Sequence, residues 1–279
     1  MIRRLLLVTA AALAVGCTGS GDGPSLVVGA TNGDRHSVLL ANIYAAGLRY
    51  YGTAATVRDS DDALAALDAG TVGVAPGFTG RLLRRFIPDS AARTPAGVYR
   101  AMVGALPEGV AAGDYAVAAE DKPALAVTAD TADRWGSREL EALVRNCSDV
   151  RLGAVEAATV PESVGQCAPP LPRLFTDAGQ MFDALRDGVV TAAWTSTADP
   201  GIPDDVVVLA DRKPALVPAE NVVALYRSNE LGAMQLRAIN ELAGVLDTAA
   251  LRDMLGEVDN GADPRQVAEE WLTANPLGR

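Results

Sequence analysis

Leu26-Val27-Val28-Gly29-Ala30, then Thr31-Asn32-Gly33-Asp34, then an amphipathic stretch from about Ser37 to Tyr51: the fold is decided in this run. The five apolar residues have strand length and end at turn formers, and the spacing beyond them is helical. The Asn/Gly/Asp segment therefore falls at the carboxyl end of a strand and the start of a helix. Backbone N–H groups converge there, and open α/β sheets hold ligands at such edges. The alternation continues with a strand around Ala54–Val57, a helix across Asp61–Ala69 and a strand Val72–Ala75, which leaves through Pro76-Gly77-Phe78-Thr79-Gly80 as a second carboxyl-edge turn.

A second βα series starts at Ala124-Leu125-Ala126-Val127. Asp130–Val144 reads as helix, Val150–Ala154 as strand, Asp177–Gly188 as helix, and Val189–Trp194 as a strand running into Thr195-Ser196-Thr197. Strands at Asp205–Leu209 and Val222–Leu225 follow, and Asn229–Ala274 is nearly all helical. Strands alternating with helices predict an α/β fold with mainly parallel sheets. No internal repeat or low-complexity tract interrupts the pattern.

The N-terminus carries a different message. Arg3 and Arg4 precede an apolar run from Leu5 to Val15, then Gly16 and Cys17. The run is shorter than the ~20 residues a permanent span needs, so 1–16 reads as a cleavable export signal. Ala14-Val15-Gly16-Cys17 is similar to a bacterial lipobox, in which the cysteine is acylated; the alternative is an ordinary signal whose cysteine is incidental. Residues 17–25, rich in Gly and Ser, read as lipidated cysteine plus flexible tether. The expected location is the outer face of the cell membrane, held by lipid.

The formal net charge is −11, with 35 acidic against 24 basic residues. That balance argues against nucleic acid as a partner, because such binding depends on Lys and Arg neutralising phosphates. With Cys17 lipidated, Cys147 and Cys167 remain as an even pair in an oxidising compartment. A disulfide is the default reading, against two free buried thiols. No cofactor or metal is expected. His36 is the one histidine, CxxC is absent, and no GxSxG elbow, HExxH or P-loop is present, so the chain is not expected to be an enzyme.

The ordered set of segments resembles the OpuAC-like family, the glycine betaine/choline/carnitine class of ABC-transporter substrate-binding proteins. Val28-Gly29-Ala30-Thr31-Asn32, with Ala41-Asn42-Ile43-Tyr44 in the helix beyond, is similar to that family's first strand, turn and helix. Pro76-Gly77-Phe78-Thr79-Gly80 is similar to its Pro-Glu-Tyr-Thr-Gly turn. Further matches are Ala124–Val127 with Thr131–Gly136, Leu152-Gly153-Ala154, and Asp263–Leu272. The resemblance implies a two-lobed periplasmic-binding-protein fold of type II with two crossover hinge strands. Lobe one would comprise 26–122 plus 220–279, and lobe two 123–219. It also implies a small-molecule ligand clasped between the lobes and an ABC permease as partner.

The family holds quaternary ammonium groups in a box of tyrosines, whose faces attract a cation that cannot donate a hydrogen bond. Here Phe78 stands for one aromatic, but Pro123 and Glu220 stand where tyrosines are expected, and the arginine expected after Glu156 has no counterpart near Thr159 or Val160. The candidate ligand-binding residues are Asn32, Phe78, Thr79, Asp121, Glu156, Trp194, Thr195, Ser196, Glu220 and Asn221. Carboxylates with few aromatics favour an amine bearing N–H donors, or a polar uncharged solute, over a tetramethylated cation. A sensor or interaction lipoprotein on the same fold is the alternative function.

Overall fold

The computed structural model describes residues 25–278 apart from Ala157. The expected signal, lipidated Cys17 and nearly all of the tether lie outside the described residues. In chain order, β1 (Leu26–Thr31), α1 (Arg35–Tyr50), β2 (Ala55–Ser60), α2 (Ala63–Asp68), β3 (Val74–Phe78), α3 (Thr79–Phe86), α4 (Pro95–Val103) and β4 (Val110–Ala112) come first. There follow β5 (Pro123–Thr128), α5 (Ala129–Trp135), α6 (Glu141–Arg145), β6 (Leu152–Val155), β7 (Arg173–Phe175), α7 (Ala178–Arg186), β8 (Ala192–Ser196) and β9 (Val206–Val208). The chain closes with β10 (Val222–Arg227), α8 (Ala233–Val245), α9 (Thr248–Asp259) and α10 (Pro264–Ala274). Among the described residues no helix is long and apolar enough to cross a membrane.

The strands form two five-stranded mixed sheets with helices packed on them, an α/β architecture. The first has the order β2-β1-β3-β10-β4 and the second β7-β6-β8-β5-β9. In the first, β1 pairs parallel with β2 and β3, whereas β10 runs antiparallel to β3 and β4. In the second, β6 pairs parallel with β7 and β8, and β5 is antiparallel to β8 and β9. The chain leaves the first sheet after β4 and returns at β10. These two crossings lie side by side: Glu120 bridges Asn221, and the Asp121 N–H donates to the Glu220 carbonyl at 2.9 Å.

Local chemistry fixes the elements. Asp34 caps α1, its carboxylate accepting from the N–H groups of His36 and Ser37, and Asp62 caps α2 in the same way. Ser37 then accepts from the Thr31 N–H at 2.8 Å, which fastens the helix start to the end of β1. The helix expected across 130–144 is two short helices, because Gly136 takes the left-handed conformation (φ 64°) that ends α5. Cores lie on both faces of each sheet: Leu39, Leu40, Ile43 and Leu48 of α1 pack with Ile239, Leu242 and Leu251 on one face of the first, and Trp194, Leu125 and Leu143 on one face of the second. Cys147 and Cys167 are disulfide-bonded, which sets aside the free-thiol alternative.

Candidate functional site

The carboxyl ends of the central strands of both sheets converge on the paired crossings. β3 ends at Phe78, and Thr79 opens α3 with its N–H donating to the Asn221 carbonyl at 2.9 Å. The Asn221 N–H donates in return to Thr79 Oγ1 at 3.0 Å. From the other sheet, Thr197, just beyond β8, donates its N–H to the Lys122 carbonyl at 3.0 Å and its hydroxyl to the Glu120 carbonyl at 3.1 Å. Pro76 to Phe78, read from sequence as a turn, complete β3 instead, and the turn is confined to the step into α3. Pro76 is tolerated because β1 pairs with β3 only at Val74, so no ladder partner needs the missing N–H on that side.

Two buried carboxylates sit on the crossings, one on each. Asp121 meets Arg81 Nη2 at 2.7 Å, and Glu220 meets Arg84 Nη2 at 2.7 Å, while its other oxygen accepts the Arg81 backbone N–H at 2.7 Å. Both arginines project from the first turns of α3, three residues apart, so one short helix neutralises both crossings. Burial pushes the Glu220 carboxyl above its ordinary value, and Arg84 and Arg81 offset part of that rise. Gly80 makes the arrangement possible: a Cβ there would lie 2.6 Å from the Ala219 carbonyl oxygen and 2.7 Å from Glu220 Cδ.

Around Asp121 the groups are crowded. His36 Nε2 lies 3.3 Å from Asp121 Oδ2 without the alignment of a hydrogen bond, and both His36 Nε2 and Asp121 Oδ1 are buried without a hydrogen-bond partner among the described residues. The His36 ring stands edge-on to Phe78, centroids 6.0 Å apart, and the Arg81 guanidinium lies 4.4 Å over the Phe78 ring centre. Burial alone would raise the Asp34 carboxyl, but hydrogen bonds from His36 and Ser37 hold it below its ordinary value. A cavity of about 230 Å³ opens beside this cluster, lined by Thr31, Asp34, Ser37, Asp62, Phe78 and Arg81 among others. It lies between the ends of β1 and β3, where the strand order of the first sheet reverses, the usual ligand position in such sheets.

The sequence-derived candidates divide by environment. Phe78, Thr79, Asp121, Thr195, Glu220 and Asn221 are buried around the crossings, and Thr195 donates to Asp199 Oδ2 at 2.7 Å. The Asn221 amide donates to the Ala116 carbonyl at 3.0 Å, which places it as a brace between β10 and the 116–119 segment. Asn32 and Glu156 are exposed and Ser196 half-buried, on three different strand ends. Trp194 lies elsewhere: its side chain is fully buried among Leu125, Leu143 and Leu152 in the core of the second sheet. Arg81, Arg84 and His36 were not among the candidates. The signal for the arginines was present in Thr79-Gly80-Arg81-Leu82-Leu83-Arg84, whose i, i+3 spacing puts both on one face once Thr79 starts a helix.

Residues 172–274 match the family model described as the substrate binding domain of ABC-type glycine betaine transport system. The match covers well under half of the chain, and the model it meets describes a solute-binding domain. Among solved structures, a glycine betaine/carnitine/choline ABC transporter protein superposes with a TM-score of 0.73 at 19% identity, over 90% of this chain and 97% of its own. Apo YehZ from Escherichia coli gives 0.65 at 17% identity, over 91% and 99%. A choline binding protein in complex with choline gives 0.58 at 14% identity, over 90% and 89%. At these identities the likeness establishes the fold, the type II periplasmic-binding-protein architecture. No curated protein matches the chain in sequence.

Proposed function

We propose that this chain is the extracytoplasmic, lipid-anchored substrate-binding protein of an ABC importer, which takes a small polar or amine-type solute between two lobes. Residues 26–122 with 220–279 form one lobe and 123–219 the other. Ligand closes them about the crossings at 119–122 and 219–221, by its greater affinity for the closed state. The observation that carries this reading is the convergence of the β3 and β8 carboxyl ends on two adjacent crossings. Cys17 carries the lipid, and a permease in the same membrane receives the closed form.

The solute is held chiefly by hydrogen bonds. Asp121 and Glu220 are paired with arginines, so the accessible polar groups at the strand ends are Asn32, Ser196 and Glu156, the last without an ion-pair partner among the described residues. A carboxylate such as Glu156 suits a solute with N–H donors. A thermal-shift screen of the soluble body against amines, amino acids, sugars and osmolytes tests the reading, because a ligand that binds only the folded state raises Tm. At least one class is expected to do so. Silence across the library would instead favour a sensor or interaction lipoprotein, a reading that the internal pairing of both crossing carboxylates with arginines also supports.

A further inference from the structure

The Phe78 ring and the Asp121 carboxylate together form a subsite with one chemical character. An aromatic face beside a buried carboxylate attracts an organic cation, through the ring quadrupole and through charge, with little screening by water. Phe78 is only 3% exposed and Asp121 1%, so neither group faces bulk solvent. What lies over them is the guanidinium of Arg81, 4.4 Å from the ring centre and 2.7 Å from Asp121 Oδ2, on a side chain 34% exposed. The cation in this subsite belongs to the chain itself.

We propose that Arg81 is a specificity-determining residue, a tethered cation that fills an organic-cation subsite and closes it to quaternary ammonium solutes. The inference rests on the reading of the strand-end region as the solute site. The competition is one-sided for three physical reasons. A guanidinium stacks on the ring and also donates N–H bonds to the carboxylate, whereas a quaternary ammonium has no N–H to give. The tethered group loses no translational freedom on binding, which a free solute must. Displacing Arg81 would leave Asp121 buried beside a diffusible ion only, with His36 Nε2 not aligned to bond it. A quaternary solute must therefore displace a better-matched cation from both faces of the subsite. Pro123 and Glu220 flank the crossings without supplying a ring, and the neighbouring ring beside Phe78 is the small imidazole of His36, edge-on to it.

Titration calorimetry with choline and with tetramethylammonium, on the parent body and on Arg81→Ala and Arg81→Gln, reads the effect. The parent is expected to show no binding at millimolar concentration. Arg81→Ala is expected to bind either cation at least about tenfold more tightly, the scale of one cation–π contact with partial desolvation. Adding Phe78→Leu to Arg81→Ala should abolish the gain. Arg81→Gln removes the charge and shortens the side chain but keeps an apolar stem and N–H donors, so it carries the test if Arg81→Ala does not fold. Parent binding as tight as that of the variants overturns the proposal, as does a folded variant with no gain. A solute found in the thermal-shift screen without any gain in the Arg81 variants would overturn this inference alone. A gain in a protein silent to the whole library would uphold the subsite and sink the transport reading instead.

Discussion

Glu220, on the second crossing, and Arg84, on α3, are joined by a hydrogen-bonded ion pair of 2.7 Å, with the carboxylate 1% exposed and the guanidinium side chain 39% exposed. The pair fastens the return of the chain into the first sheet to the helix that follows β3. The energetic asymmetry matters: removing the arginine leaves a buried carboxylate with only the Arg81 N–H as donor.

Arg84→Ala is accordingly expected to destabilise the protein by about 1–3 kcal/mol, below the range for fully buried pairs because Arg84 is more than a third exposed. The urea midpoint measures it. A midpoint equal to that of the parent would show that the pair is solvated rather than structural.

The pH dependence of Glu220 has a definite sign. Burial raises its folded-state value above the ordinary 4.5, with Arg84 and Arg81 offsetting part of the rise. The protonated form is thus favoured by folding, and this contribution is complete below 4.5 and lost as pH rises through the folded value. Glu220→Gln is neutral throughout, so its stability relative to the parent should improve as pH increases from about 4 to 7. A relative stability that worsens over that interval would mean that the arginines, not burial, dominate.

Gly80→Ala places a Cβ against the Ala219 carbonyl and the Glu220 carboxyl at 2.6 and 2.7 Å, and the first of these is backbone that cannot rotate away. A loss of roughly 1–3 kcal/mol is expected from overpacking. Gly244→Ala, in α8 with nothing within 4 Å of its would-be Cβ, is the control and should be neutral or slightly stabilising. Equal effects at the two positions would remove the role assigned to Gly80.

The Cys147–Cys167 bond closes a sequence separation of 20 residues. Replacing both cysteines by serine is expected to cost about 3 kcal/mol on the loop-entropy account. Thermal melts with and without reductant check it, since reduced parent and double variant should coincide.

Much of the fold could be read from the chain because its signals were local. The strand Leu26–Ala30 and the Asn-Gly-Asp turn announced β1 and α1, and the pairing of Cys147 with Cys167 followed from their number and compartment. The crossings near Asp121 and Glu220-Asn221 were implied by the family resemblance rather than by local signals, and their arginine partners were not implied at all. Reading Pro76–Gly80 as a turn hid α3, and with it the arginines that neutralise both carboxylates. Trp194 shows a second limit. β8 is buried on both faces, so Ala192, Ala193 and Trp194 are all inaccessible and no period distinguishes core from site.

The clamp is tested most directly by small-angle scattering of the soluble body, with and without a saturating solute that raises its Tm. Closure of the two lobes about the crossings predicts a smaller radius of gyration in the bound protein. An unchanged radius at full occupancy would contradict it.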